Sequence, residues 1–97
     1  MPKLTKDRRP AKFREEPKKI IARLSKALDR ADPAAAFPPA LLEILQEYGM
    51  TSVAEKAGIR RETLYRSLGG KHRAPFDHVV NSMAAIGFKF VVVPREI

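Results

Sequence analysis

The chain has 97 residues, a hydrophobic content of 44% and a formal net charge of +8 at pH 7, which suits one small domain with a single core. It contains no cysteine, so disulfides and thiolate metal sites are excluded. No carboxylate pattern accompanies its two histidines, His72 and His78, and we expect neither a metal nor a cofactor. No apolar run approaches the roughly 20 residues of a membrane helix, and the charged N-terminus lacks a signal-peptide core. We therefore expect a cytoplasmic protein that does not contact a membrane.

The positive charge is concentrated in two blocks of the chain. Residues 1–19 carry eight Lys/Arg and three acidic residues, and residues 56–73 carry six Lys/Arg and one acidic residue, so each block has a net charge of +5. This distribution is typical of proteins that bind a polyanion. Residues 1–16 have little to bury, which predicts a flexible basic arm ahead of a domain spanning residues 17–97.

Helical periodicity begins after the arm. Apolar residues repeat on one helical face from Pro17 to Ala31, and Asp32-Pro33 is expected to end this first helix. Residues 34–39 are predicted to be a connector, because they hold two further prolines. A second helix with a broad apolar face follows and ends at Gly49, and Met50 is expected to plug the core.

The stretch from Thr51 to Leu68 predicts two short helices joined at Gly58, a position that suits a positive φ. Ser52 and Glu55 have the spacing of a capping box at the start of the first of these helices. Ile59 and Leu64 are predicted to be buried, so the polar residues between and beyond them must face outward. A helix-turn-helix presents such a face to the major groove of DNA.

These positions define the candidate contacts to double-stranded DNA. Arg61 and Arg66 are the best candidates for bidentate contacts to guanine. Hydroxyl groups at a helix N-terminus and a basic loop after the second helix are candidates for phosphate contacts. The alternative is an ordinary solvated face and loop. The base-facing candidates are Arg60, Arg61, Glu62, Tyr65 and Arg66, and the phosphate candidates are Thr51, Ser52, Lys71, His72 and Arg73.

The C-terminal part predicts a fifth helix and then a strand. The fifth helix starts at Pro75 and ends at Gly87, and residues 88–93 are rich in branched and aromatic side chains. A single strand needs a partner for its backbone groups, and the other strand-like segment at hand is its copy in a second molecule. We therefore predict antiparallel pairing in a homodimer, with packing on the helices of the same chain as the alternative. The dimerisation residues would be Phe88, Phe90, Val91, Val92 and Val93.

Several motifs resemble those of one family. They are Ala27-Leu28-x-x-Ala31-Asp32-Pro33, Leu41-x-x-Ile44-x-x-x-Tyr48-Gly49-Met50, Val53-Ala54-x-x-Ala57-Gly58-Ile59-x-Arg61-Glu62-x-Leu64-Tyr65, Ser67-Leu68, Pro75-Phe76-Asp77 and Ala85-Ile86-Gly87. On these motifs the chain resembles antitoxins, the addiction-module antidote proteins of type II toxin–antitoxin systems, that carry a lambda-repressor/Cro-type (Xre-like) helix-turn-helix. The resemblance covers about two thirds of the chain, although Arg60 stands where a Ser or Thr often caps the recognition helix.

The resemblance implies a mainly α fold, a five-helix domain of lambda-repressor type with the C-terminal strand paired across a dimer. It also implies a repressor that binds an inverted-repeat operator, regulates its own operon and neutralises a RelE-like ribonuclease toxin. Two alternatives are a stand-alone Xre-like transcriptional regulator without a toxin and a toxin-binding scaffold without specific DNA readout. No catalytic arrangement of side chains is evident, so we do not expect an enzyme.

Overall fold

The structure, a computed structural model, describes residues 17–71 and 73–95. Within these residues the chain forms five helices: α1 (Pro17–Leu28), α2 (Pro33–Tyr48), α3 (Met50–Ala57), α4 (Arg61–Leu68) and α5 (Phe76–Ala85). The prediction of a mainly α fold with five helices is confirmed. The predicted arm at residues 1–16 and the phosphate candidate His72 lie outside the described residues.

Helix α2 forms the centre of the fold, because all four other helices pack against it. Its side chains Leu41, Ile44 and Leu45 have no exposed surface. Burying an aliphatic side chain of this size contributes roughly 1.5–3 kcal/mol, so this helix gives a large share of the stabilisation. The other helices and the turn after α5 complete the core with Ile20, Leu24, Val53, Leu64, Leu68, Val79, Met83 and Ile86.

The first helix is shorter than its sequence pattern predicts. Helix α1 ends at Leu28 rather than Ala31, and the N–H groups of Asp29 and Arg30 bond back to carbonyls of its last turn. The next residues cannot continue α1, because Asp32 is the N-cap of α2. The chain must turn before α2 can begin. The prediction that the helix stops before Asp32-Pro33 is correct, but its last residues form the turn.

The connector predicted at residues 34–39 is wrong, because these residues form the first part of α2. The Asp32 carboxylate accepts the Ala35 N–H at 3.3 Å, and Pro33 follows at a position where no N–H is needed. Pro38 and Pro39 lie inside the helix and leave two carbonyls of its first turn without a helical donor. Those carbonyls belong to exposed residues, where water can take the place of the missing donors. Burial of Phe37 and Pro38 favours the helix over a connector.

Gly49 joins α2 directly to α3. Its φ is +126°, its N–H donates to the Leu45 carbonyl at 2.9 Å, and its own carbonyl accepts the Val53 N–H at 3.1 Å. Helix α3 therefore begins at Met50, which is buried as expected. The capping box predicted at Ser52 and Glu55 is wrong, because Gly49 is the N-cap and no side chain caps this helix.

After α5 and its turn, residues 88–95 have no regular secondary structure and no strand partner among the described residues. Phe88 is half-buried against the core, and the Phe90 ring lies 5.4 Å from that of Phe37. Val91, Val92 and Val93 are exposed by 70%, 98% and 69%. Residues 17–71 and 73–95 therefore contain no β-strand, and the expected pairing across a dimer stays a prediction.

Candidate DNA-binding surface

The turn between α3 and α4 fixes the relative positions of the two helices. Gly58 has a φ of +70°, and the N–H groups of Gly58 and Ile59 both donate to the Ala54 carbonyl, at 3.0 and 3.1 Å. This is the bonding of a Schellman-type helix end, in which a left-handed residue reverses the chain. Ile59 then packs partly buried against the core. The predicted turn residue and its positive φ are therefore found in the structure.

Helix α4 has one buried face and one polar face. Leu64 and Leu68 have no exposed surface and hold the helix on the core, so the opposite face points away from the protein. All five base-facing candidates have exposed side chains: Arg60 at the N-cap, and Arg61, Glu62, Tyr65 and Arg66 on the helix. Groove binding requires exposed polar side chains on such a helix.

A hydrogen bond connects the start of α4 to the start of α3. The Nη1 atom of Arg61 donates to the Thr51 hydroxyl oxygen at 3.2 Å. Arg61 is the first residue of α4, and Thr51 is the second residue of α3. Ser52, the next phosphate candidate, is half-buried. The two groups of DNA-contact candidates therefore meet at this point, a contact that the sequence did not predict.

The basic loop after α4 lies beside the start of α2. Gly70 approaches α2 closely, because a Cβ at this glycine would lie 3.3 Å from the Pro39 Cγ. The phosphate candidates Lys71 and Arg73 are exposed, and they line a cleft between this loop and the first turn of α2 near Asp32. The loop thus places two cations at the edge of the surface formed by α4.

The cations of this surface form no ion pair with any residue that the structure describes. Within residues 17–71 and 73–95, the ion pairs lie elsewhere, where Arg23 of α1 contacts Glu47 at 2.8 Å and Glu43 at 3.8 Å on α2. The hydrogen bond from Arg23 to Glu47 raises the pKa of this arginine, and the two carboxylates add to the effect. Within the described residues, the cations of α4 and its loop thus outnumber the single acid of this helix, Glu62, and form no ion pair.

Two further side-chain contacts join neighbouring helices of this region. The Ser67 hydroxyl near the end of α4 lies 3.0 Å from the Nδ1 atom of His78 on α5. This contact joins α4 to α5. Lys56 at the end of α3 donates to the Tyr48 hydroxyl at 3.1 Å. Neither contact could be predicted from spacing alone, because each joins residues on different helices.

In the part of the chain that the structure describes, no group of three or more His, Asp or Glu side chains is placed to hold a metal ion. None of the helices within residues 17–71 and 73–95 has the length and apolar character needed to cross a membrane.

Comparison with known proteins identifies a family for this chain. A family model described as "Probable addiction module antidote protein" matches residues 6–94, which is most of the chain. No curated protein matches, and no solved structure matches.

Proposed function

The chain belongs to the addiction module antidote protein family, and from this premise we propose that it is an operator-binding antitoxin. Family membership implies an antitoxin role with a toxin as partner, and a regulatory rather than an enzymatic protein. The proposal adds that the helix-turn-helix, of lambda-repressor (Xre-like) type, represses the protein's own operon. In this proposal residues 17–97 form the DNA-binding domain and residues 1–16 form a basic arm beside it.

One observation carries the DNA-binding proposal: α4 and its N-cap residue carry three exposed arginines, Arg60, Arg61 and Arg66, that form no ion pair within the described residues. Arginine presents a planar fork of donors that matches the two acceptors of guanine in the major groove. Arg61 and Arg66 are the proposed base readers. Lys71 and Arg73 would neutralise phosphates and fix the register of α4 on the duplex.

Selection of binding sites from random duplexes tests this proposal. Wild-type protein should enrich an inverted repeat. Arg61→Ala should relax the preference at one base pair of each half-site by about 5- to 150-fold, since a bidentate pair is worth roughly 1–3 kcal/mol. Arg30→Ala is the matched control, because Arg30 is exposed but lies between α1 and α2. Equal weakening of all duplexes by Arg61→Ala would contradict the assignment.

We propose a homodimer formed by the C-terminal segment at residues 88–93. Its exposed valines leave an apolar edge that a second copy could cover by strand pairing. Val92→Lys should shift the protein from dimer to monomer in sedimentation experiments, because it places a charge in the pairing face. Phe76→Lys replaces another exposed apolar residue outside this segment and should leave the mass unchanged. A dimer that survives Val92→Lys would contradict this interface.

The toxin is proposed to be a RelE-like ribonuclease. If so, a neighbouring reading frame should encode a small basic ribonuclease, and the purified chain should suppress its cleavage of mRNA at equimolar ratio. Apolar side chains on the outer side of α1, Ile21 at 50% and Leu28 at 46% exposure, are candidates for that contact. A ribonuclease that stays fully active would favour a stand-alone regulator, whereas inhibition without DNA selectivity would favour a toxin-binding scaffold.

A further inference from the structure

We propose that Thr51 is a positioning residue for Arg61, so that the reading of one base pair by α4 depends on a hydroxyl group of α3. The inference rests on the proposed DNA-binding function and assigns Thr51 a role beyond a phosphate contact. The observation behind it is the 3.2 Å hydrogen bond from the Arg61 Nη1 atom to the Thr51 hydroxyl oxygen.

Both ends of this contact start from a fixed backbone. Thr51 lies two residues before Val53, and Arg61 lies three residues before Leu64, and both of these apolar side chains are fully buried. The threonine side chain is also restricted at χ1, because it is branched at Cβ and lies in a helix. The hydroxyl oxygen therefore has few positions open to it, and in the one observed it accepts a hydrogen bond from Arg61.

The contact restrains the arginine without using up its donors. A guanidinium carries five N–H groups in a rigid plane, and one of them points to Thr51. The other edge of the plane stays free for the two acceptors of guanine. An unrestrained arginine would lose rotamer freedom on binding, and this loss weakens binding. A restrained arginine has already lost part of this rotamer freedom before it binds DNA.

A positioning role and a phosphate role have different consequences. A hydroxyl that only contacts phosphate contributes equally to every DNA sequence, because phosphates carry no sequence information. A hydroxyl that orients Arg61 contributes only at the base pair read by Arg61. The two roles are compatible, since a hydroxyl can accept from Arg61 and still donate its own proton, but only the positioning role changes discrimination between bases.

The test compares matched variants on the selected operator and on duplexes changed at one base pair at a time. The base pair at which Arg61→Ala loses discrimination is located first. Thr51→Val keeps the branched shape without the hydroxyl and should reduce discrimination there by about 3- to 10-fold, the range expected for one hydrogen bond. Thr51→Ser should retain it. Thr63→Val makes the same change at a half-buried α4 threonine and should behave as wild type.

Suppose that Arg61→Ala still loses discrimination at one base pair. Two results for Thr51→Val would then overturn the inference without affecting the DNA-reading function. One is an equal weakening of all duplexes by Thr51→Val, which leaves a phosphate contact only, and the other is no change in any of them. On an Arg61→Ala background, Thr51→Val should add nothing at that base pair. Wild-type protein that binds all duplexes alike would overturn the DNA-reading function, and the inference with it. Thermal unfolding of each variant verifies that it is folded.

Discussion

The backbone conformation of Gly58 affects the whole candidate surface, because Gly58 forms the turn between α3 and α4. Its left-handed conformation lets two successive N–H groups share the Ala54 carbonyl, and the chain then enters α4 at the angle that exposes the arginine-bearing face. A residue with a Cβ adopts this conformation at a cost of roughly 1–2 kcal/mol. No atom lies within 4 Å of the position that a Cβ would occupy, so the cost comes from the backbone alone.

Gly58→Ala should therefore lower the free energy of unfolding by about 1 kcal/mol, as measured by urea denaturation. Gly58→Asn is the matched comparison and should cost less, because asparagine tolerates the left-handed region better than other residues. An alanine variant as stable as wild type would show that the turn can form with ordinary dihedral angles.

Ser82 on α5 is fully buried, and its hydroxyl has no partner among the described residues. A buried hydroxyl without a hydrogen bond costs roughly 1–3 kcal/mol. Ser82→Ala should therefore raise the free energy of unfolding by about 1 kcal/mol, measured in the same denaturant. Ser67→Ala is the opposite control, since it removes the contact to His78 and should lower stability. A loss of stability in Ser82→Ala would show that the hydroxyl has a partner.

The helices differ in how far sequence patterns could predict them. The core faces of α3 and α4 followed from apolar spacing and one glycine, and so did the exposed polar face of α4. The start of α2 was missed because two prolines suggested a connector, although the cap by Asp32 was visible in the sequence. The contact between Thr51 and Arg61 depends on the angle between two helices, which no spacing along the chain specifies.

The loop between α4 and α5 is the element where phosphate binding should be measurable apart from base reading. If Lys71 neutralises one phosphate, Lys71→Ala should weaken binding to all sequences and reduce the slope of log K against log salt by about 0.9 per protomer. Lys26→Ala removes an equally exposed charge from α1 and should leave the slope unchanged. An unchanged slope in Lys71→Ala would place this lysine away from the backbone of the DNA.

The proposed dimer makes a geometric prediction for the whole molecule. Two copies of α4 that read successive major grooves should lie about 34–36 Å apart, which corresponds to roughly one helical turn of DNA. Inserting five base pairs between the half-sites moves them to opposite sides of the duplex, so gel-shift affinity should fall to that of a single half-site. Inserting ten base pairs should be less harmful than inserting five. Equal affinity for every spacing would argue against a rigid dimer.

The central position of α2 has one more consequence. Because every other helix packs on it, the amides around Ile44 can reach water only when the whole core opens, whereas α1 can open with less loss of packing. Hydrogen exchange at Ile44 should therefore report the global unfolding free energy, and exchange in α1 should be faster. Exchange at the Ile44 amide would therefore measure how much the binding of DNA or a toxin raises the global unfolding free energy of the domain.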